Sequence, residues 1–299
     1  MVQEFIMLLA LPYPTMNFLP FYAAEELGFF ARAGVSVHCL HVRESKERKV
    51  RLCLAGDLDF YTSVSTTVEA LLRDWGEVKA LCSNQTTLHF CMARPEIERL
   101  EDLRGKRVMV GGGASNNQLL YLAKKLGWEA GRDVAIVPGD ALDRIKAFQD
   151  ATIAAVIARE EYVYWALKAG WHLLPYPEPY MRWHGGGLCT SARLIREQPD
   201  AVYGAVKAVY EATLYVNSHR REAISVALKW IGHLSREDAE GNLDVHMGHG
   251  GYSCAMTEEG VRFMSEVLNL AKGTNKRVSL REVADLSFLE RAQAETRQA

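Results

Sequence analysis

The chain passes from a helix into a strand within Pro20-Phe-Tyr-Ala-Ala-Glu-Glu-Leu-Gly28-Phe-Phe-Ala-Arg-Ala-Gly34-Val-Ser-Val37. Gly28 and Gly34 mark the end of the helix and the turn into the strand, because glycine adopts a positive φ at little steric cost. Glu25 and Glu26 are expected on the solvent-exposed face of that helix. The stretch therefore predicts the helix-to-strand connection of an α/β protein.

Outward from this stretch, short apolar runs alternate with amphipathic segments. This alternation is typical of an α/β protein with mostly parallel sheets. Beyond Arg193 the pattern is almost entirely helical and predicts a helical C-terminal tail. The predicted strands are 5–11, 35–42, 58–61, 78–82, 88–93, 107–110, 134–137, 154–158 and 187–190.

The predicted strands fall into two groups, which divide the chain into two lobes. Arg94-Pro95 interrupts the pattern after the first group, and Gly185-Gly-Gly187 marks a second crossing. We therefore expect a discontinuous first lobe, residues 1–93 plus 191–299, and an inserted second lobe, residues 94–190. Ligands of such folds bind between the lobes, at the carboxyl ends of the strands.

Composition narrows the functional classes. Of the 299 residues, 35 are Lys or Arg and 37 are Asp or Glu, which gives a formal net charge of −2. A nucleic-acid-binding protein would carry a basic excess, so nucleic acid is not expected as a partner. No run of 18 apolar residues occurs, and a membrane span is therefore not expected.

Four ordered segments resemble a known family. The stretch from Pro20 to Val37 resembles the opening of the type 2 periplasmic-binding-protein fold. The resemblance is to the branch that holds sulfonate-, nitrate- and taurine-binding proteins and thiamine-pyrimidine-synthase-like proteins. Ala55-Gly-Asp-Leu-Asp-Phe60 is similar to the second signature of that branch. Leu100-Glu-Asp-Leu-Arg-Gly-Lys-Arg-Val108 resembles its entry into the second lobe, and Asp285-Leu-Ser-Phe-Leu289 its final helix.

The resemblance implies a binding protein that closes two lobes over a small polar or anionic organic ligand, as the substrate receptors of ABC importers do. A cytosolic enzyme on the same fold, acting on a small organic acid or a thiamine-pyrimidine-type precursor, remains the alternative. A noncatalytic cytosolic sensor is the third hypothesis. No cofactor and no metal are expected, and an ABC permease is the expected partner if the protein is exported.

The sequence leaves the compartment open. No Lys or Arg precedes the apolar stretch Phe5–Leu11, so that stretch is interpreted as a buried strand and not as a secretory signal. Six scattered cysteines without a CxxC pair are expected to be buried free thiols, which favours a reducing cytosol. The protein is therefore cytoplasmic if Met1 is the native start, and periplasmic if a signal peptide has been removed.

Polar, mostly uncharged side chains follow the predicted strands of the first lobe. They lie in the loops after the first, third and fourth strands and are expected to converge on one cleft. Amide and hydroxyl groups of this kind suit a small polar or anionic ligand, although each also suits an ordinary turn or helix cap. Asn17, for example, is a candidate cap for the helix beginning near Phe18. The ligand-binding candidates here are Tyr13, Thr15, Asn17, Tyr61, Thr62, Ser65 and Asn84.

The second lobe offers a glycine-rich loop. Gly111-Gly-Gly-Ala-Ser-Asn-Asn117 follows a strand and opens a helix, where glycines allow a ligand to approach and free amides attract anions. The spacing matches neither a Walker loop nor a dinucleotide fingerprint, and a purely structural turn is the alternative. The candidates in this lobe are Gly112, Gly113, Ser115 and Asn116, with Glu160 after the last parallel strand and Trp183 before the second crossing. Trp183 or Tyr61 would suit a planar ligand, and no catalytic residue is assigned.

Overall fold

Two five-stranded sheets organise the protein. The computed structural model describes residues 6–85, 89–111, 113–175 and 183–298. All nine predicted strands are present to within two residues of their predicted bounds, and among the described residues the two-residue β9 was the one strand not predicted. The strands are β1 (Ile6–Leu11), β2 (Ser36–His41), β3 (Phe60–Thr62), β4 (Val78–Cys82), β5 (His89–Ala93), β6 (Arg107–Val110), β7 (Ala135–Pro138), β8 (Ala155–Arg159), β9 (His172–Leu173) and β10 (Leu188–Ser191).

Helices connect these strands and form the C-terminal tail. Several begin at a Ser, Thr or Asp whose side chain accepts a hydrogen bond from a first-turn amide, as Ser45 does from Arg48. In chain order they are α1 (Leu19–Glu26), α2 (Phe29–Arg32), α3 (Lys46–Ala55), α4 (Val64–Leu72), α5 (Ala114–Lys125), α6 (Ala141–Ala147), α7 (Val163–Lys168), α8 (Ala192–Glu197), α9 (Pro199–Ser218), α10 (Arg220–Trp230), α11 (Arg236–Gly248), α12 (Glu258–Lys272), α13 (Leu280–Val283) and α14 (Ser287–Gln298).

The two sheets share one design. The first has the strand order β2-β1-β3-β10-β4 and the second β7-β6-β8-β5-β9. In each sheet the strands joined by helical crossovers run parallel, and the strand that arrives from the other sheet runs antiparallel to its neighbours. Each sheet is buried by apolar side chains on both faces. This is the two-lobed α/β architecture of the periplasmic-binding-protein fold.

Two strands, β5 and β10, belong to different sheets from those expected. The grouping of the predicted strands puts 88–93 in the first lobe and 187–190 in the second. However, β5 pairs with β8 and β9 in the second sheet, and β10 pairs with β3 and β4 in the first. Arg94 does not mark the crossing, because its side chain is bound to the carbonyls of Ile153 and Asp150 inside the second lobe. The chain crosses between β4 and β5, and again between β9 and β10.

The stretch that decides the fold is confirmed, with one correction. Gly28 and Gly34 have φ of 72° and 76°, the left-handed backbone that the turns require. Glu25 is not a free surface charge, because its carboxylate accepts the backbone amide of Cys39 at 2.7 Å and contacts His38 at 2.7 Å. It therefore ties α1 to β2.

The predicted state of the cysteines is also confirmed. All six are buried and free: Cys39, Cys53, Cys82, Cys91, Cys189 and Cys254. Within the described ranges, no helix combines the length and the apolarity that a membrane crossing needs.

Candidate functional site

A cavity of about 150 Å³ lies between the two sheets. The carboxyl ends of β1, β2 and β3 approach it from one side, and those of β6, β7 and β8 from the other. The loops and helix starts that follow these strands supply most of its lining. From the first sheet come Tyr13, Lys46, Lys49, Thr62, Ser63 and Ser65, and from the second come His89, Ser115, Arg144 and Arg159. The cavity therefore occupies the position where this fold class binds ligands.

Four cationic side chains meet at the cavity, two from each side. Lys46 and Lys49 lie on the first turns of α3, while Arg144 lies on α6 and Arg159 ends β8. The described residues that line the cavity include no carboxylate. The cavity is therefore strongly electropositive although the whole chain is nearly neutral.

Two of these cations have carboxylate partners behind the cavity wall. Nζ of Lys46 lies 3.1 Å from Glu69, and the guanidinium of Arg159 lies 3.2 Å from Glu161. Arg159 also donates to the hydroxyl of Tyr13 at 3.1 Å. These partners fix the directions of Lys46 and Arg159.

Within the described chain the other two cations make no direct ion pair, but Glu161 and the hydroxyl of Tyr13 help to raise the pKa of Arg144. Among the described residues, no carboxylate lies within ion-pair distance of Lys49 or Arg144. Burial lowers the pKa of Lys49, the positive charge of Lys46 lowers it further, and Glu44 acts weakly in the opposite direction. Arg144 donates from Nε to the carbonyl of Asp140 at 3.0 Å. Its guanidinium lies 4.4 Å from the ring centre of Tyr162. An anion in the cavity would stabilise the charged form of both side chains.

Helix starts add further positive potential. The first turns of α3, α4 and α5 all reach the cavity lining. Ser45 and Ser63 cap the first two helices, but Gly113 precedes α5 and provides no side-chain cap. The free amides of α5 are therefore available to an anion. A Cβ at Gly113 would come within 3.2 Å of Cε of Lys46, so the start of α5 meets α3 across the cleft.

His89 completes one wall as a neutral group. Burial lowers the pKa of its imidazole well below the ordinary value, and the charges of Arg159 and Arg144 lower it further. The Trp183 ring packs edge-on against it, with the ring centres 6.2 Å apart. His89 can therefore offer a hydrogen bond without adding charge.

Four of the residues predicted from the sequence line the cavity: Tyr13, Thr62, Ser65 and Ser115. The hydroxyl of Thr62 donates to the carbonyl of Ala10 at 3.2 Å, and Ser65 lies 3.1 Å from the Ser63 hydroxyl. Ser115 lies in the uncapped first turn of α5. Their contact with a ligand remains a prediction, which this position supports.

Asn17 and Asn84 belong to a buried network beside the cavity. Asn17 does not cap α1, because it lies in a 3₁₀ turn and its amide donates to Glu161 at 2.8 Å. Its side-chain oxygen accepts from Gln85, and its carbonyl accepts from Asn84. The two asparagines therefore connect the loop after β1, the crossing after β4 and the end of β8.

The remaining candidates that the structure describes lie outside the cavity lining. Tyr61 is fully buried and bonds Thr67 at 2.8 Å, and Trp183 is fully buried behind His89. Glu160 faces Nδ1 of His246 at 3.4 Å and not the cavity. Thr15 lines a smaller neighbouring gap, Gly113 and Asn116 flank Ser115, and Gly112 lies outside the described residues.

Four cations of the site, Lys46, Lys49, Arg144 and Arg159, and the neutral His89 were not predicted from the sequence. Lys46 and Lys49 sit one turn apart at the start of the helix after β2, which by spacing alone suggests a solvated face. Arg159 directly follows a predicted strand, and its position was the clearest available signal. Arg144 has no such signal, because it reaches the cavity from the second turn of α6.

Family comparison agrees with this architecture. The model of the family described as NMT1/THI5 like matches residues 15–223, more than half of the chain. The chain belongs to the NMT1/THI5-like family. None of the curated proteins matches it.

Solved structures show how widely the fold is shared. The chain is similar to the periplasmic aliphatic sulphonate binding protein SsuA from Escherichia coli, with 15% identity, a TM-score of 0.75, and coverage of 93% of this chain and 97% of that one. It is also similar to the periplasmic nitrate-binding protein NrtA from Synechocystis PCC 6803, with 13% identity, a TM-score of 0.72 and coverage of 98% and 89%. The desulfurization enzyme DSZB matches with 16% identity, a TM-score of 0.62 and coverage of 97% and 99%. At these identities the likeness shows a shared fold.

Proposed function

We propose that the protein binds a small anionic organic molecule in the cavity between its two sheets and acts as a substrate receptor. The observation that carries this proposal is the convergence of Lys46, Lys49, Arg144 and Arg159 on one cavity with two carboxylates behind its wall. Buried positive charge is costly unless it is paired, so the cavity is suited to an anion.

The size of the cavity limits the ligand. Pockets for drug-sized molecules measure roughly 300–1,000 Å³, whereas this cavity measures about 150 Å³. The ligand is therefore a compact anion with a short organic body. Two fold relatives are named for aliphatic sulphonate and for nitrate, and both are compact anions.

The residues of the lining support binding. Among the described residues that line the cavity there is no thiol and no carboxylate, and its imidazole, His89, is neutral. Lysines, arginines and hydroxyls are the donors that hold an anion through charge and hydrogen bonds. The fold also serves an enzyme, DSZB, and an enzyme acting on a small organic acid or a thiamine-pyrimidine-type precursor remains the alternative. For a receptor exported to the periplasm, the partner is an ABC permease.

A thermal-unfolding panel tests the proposal. Methanesulfonate, methyl phosphate and malonate should each raise the melting temperature at low ionic strength more than dimethyl sulfone, a neutral molecule of similar shape. The gain should disappear in the Lys49→Met/Arg144→Met double variant and persist in Arg48→Met, which removes an exposed charge from α3. Equal stabilisation by dimethyl sulfone, or an undiminished anion effect in the double variant, would contradict the proposal.

Native mass spectrometry adds an independent test. Protein purified at low ionic strength should carry a small anionic adduct that is released on denaturation. The Lys49→Met/Arg144→Met variant should lack that adduct.

A further inference from the structure

The charge balance around the cavity is uneven, and it bears on the charge of the ligand. Glu69, the partner of Lys46 at 3.1 Å, also lies 3.5 Å from Arg73 and 3.8 Å from Lys272. One carboxylate therefore serves three cations. Lys46 is only partly neutralised by it.

The second carboxylate, that of Glu161, also interacts with more than one group. Glu161 lies 3.2 Å from Arg159 and accepts a hydrogen bond from Asn17 at 2.8 Å. The neighbouring Glu160 adds no negative charge at neutral pH, because burial raises its pKa to about 8. Arg159 thus has one charged partner within the described chain.

Lys49 and Arg144 add two positive charges that no carboxylate of the described residues contacts directly, although Glu161, already paired with Arg159, also raises the pKa of Arg144. Lys49 is 8% exposed and Arg144 is 5% exposed, so water does not fully solvate either group. The nearest acidic residues in sequence do not pair with them. Glu44 is exposed, and the Asp140 carboxylate is bound to the amides of Leu142 and Asp143 as the cap of α6. A monoanion would therefore leave about one buried positive charge unmatched.

From this balance we infer that the ligand carries a dianionic head group of the phosphate-monoester or phosphonate class, an inference that rests on the proposed function. Its tetrahedral oxygens have donors on several sides. Arg144 and Arg159 provide planar guanidinium groups from the second sheet, and Lys46 and Lys49 provide ammonium groups from the first. The uncapped start of α5, with Ser115, supplies amides and a hydroxyl between them.

Two probes of the same shape and different charge test this inference. Methyl phosphate is mostly dianionic at pH 7, because the second pKa of a phosphate monoester is about 6. Methyl sulfate is a monoanion of nearly the same size. By titration calorimetry at pH 7 and fixed ionic strength, the intact protein should bind methyl phosphate at least about tenfold more tightly than methyl sulfate.

Matched variants test whether the preference for methyl phosphate over methyl sulfate depends on Lys49 and Arg144. In Lys49→Met, and separately in Arg144→Met, the preference for methyl phosphate over methyl sulfate should fall, whereas in Arg144→Lys, which keeps the positive charge, it should stay. In Arg48→Met it should stay. Thermal unfolding of each variant shows whether the fold is kept, and Arg144→Lys guards against a loss of packing on Tyr162 in a full truncation.

The outcomes separate the two proposals. Methyl sulfate binding as tightly as methyl phosphate, both with Lys49-dependent affinity, would overturn the dianion inference and leave the anion receptor standing. Tighter binding of malonate than of methyl phosphate would overturn the head-group assignment in favour of a dicarboxylate. No binding of any of the three at 10 mM would overturn the proposed function and the inference together.

Discussion

The hydroxyl of Tyr13 accepts a hydrogen bond from the guanidinium of Arg159 at 3.1 Å, and this bond joins the two sheets across the cavity. A second link runs beside it, because Arg159 contacts Glu161 and Glu161 accepts from Asn17 in the loop that also holds Tyr13. Arg159 therefore lines the cavity and also holds the two lobes together. Changes at this point should affect binding through closure.

Removing the Tyr13 hydroxyl should weaken ligand binding while leaving the fold intact. In Tyr13→Phe the cross-cavity hydrogen bond is lost, but Glu161 still holds Arg159. A net loss of about 0.5–1.5 kcal/mol corresponds to roughly 2- to 10-fold weaker binding of methyl phosphate by calorimetry. Tyr210→Phe, which changes a half-buried tyrosine on α9, should bind as the parent does. Unchanged affinity in Tyr13→Phe would show that the bond does not contribute to the bound state.

The lobes should separate when the cavity holds no anion. In the closed arrangement Lys46 and Lys49 face Arg144 and Arg159, and like charges at close range repel one another. Two lobes joined by two crossings move as a hinge. The radius of gyration from solution scattering should therefore fall when methyl phosphate is added at low ionic strength. The ligand-free Lys49→Met/Arg144→Met variant should already be more compact than the ligand-free parent. A scattering profile unchanged by saturating ligand would contradict this prediction.

Glu160 should make stability depend on pH in a defined window. Burial raises its folded-state pKa to about 8 from an ordinary value of 4.5, so the folded protein holds a proton there that the unfolded chain releases. The contribution of Glu160 to the free energy of unfolding is fully present below about pH 4.5 and is lost as the pH rises through 8. The buried imidazoles act in the opposite direction below about pH 6.5, because burial lowers the pKa of His246 to about 3 and of His184 to about 4.

The opposing effect of the imidazoles diminishes between pH 6.5 and 8, and this window therefore favours the effect of Glu160. Over it the free energy of unfolding from urea titrations should fall by at most about 2 kcal/mol. Glu160→Gln, a neutral amide at every pH, should remove most of that slope. Glu98→Gln, at an exposed position, should keep it. If the free energy of unfolding falls equally with pH in Glu160→Gln, the Glu160 carboxyl does not titrate between pH 6.5 and 8.

Ser115 and Asn84 should separate binding from stability. Ser115→Ala removes a hydroxyl from the cavity lining, and affinity for methyl phosphate should fall by roughly 2- to 150-fold without loss of fold. Asn84→Ala removes a donor from the buried network around Asn17 and should destabilise the protein by about 1–3 kcal/mol. Asn116→Ala, beside Ser115 but outside the lining, is the matched control for binding. Unaltered affinity in Ser115→Ala would remove the start of α5 from the site.

Most of the fold could be predicted from the chain, because local signals agree with it. The left-handed glycines Gly28 and Gly34 and the apolar strand runs were placed correctly. The sheets to which β5 and β10 belong were not predicted correctly, because a fully buried strand has the same apolar pattern in either sheet. Only pairing partners far along the chain decide it, and in this fold both strands pair antiparallel after crossing.

The candidate site was less accessible to sequence reasoning. Loop position alone located Tyr13, Thr62, Ser65 and Ser115 at the cavity. The same reasoning pointed to Asn17 and Asn84, whose amides serve the network beside the cavity. The cations could not be found in this way, because Lys49 and Arg144 lie within helices and reach the cavity through the tertiary arrangement of both lobes.

The most direct test of the anion site is a crystal structure of the protein grown with 2-bromoethylphosphonate, read from the anomalous signal of bromine. We expect one bromine peak in the cavity between the sheets, with the phosphonate oxygens contacting Lys49, Arg144 and the first-turn amides of α5. A bromine peak only outside this cavity, in crystals where the probe is bound elsewhere at high occupancy, would contradict the account.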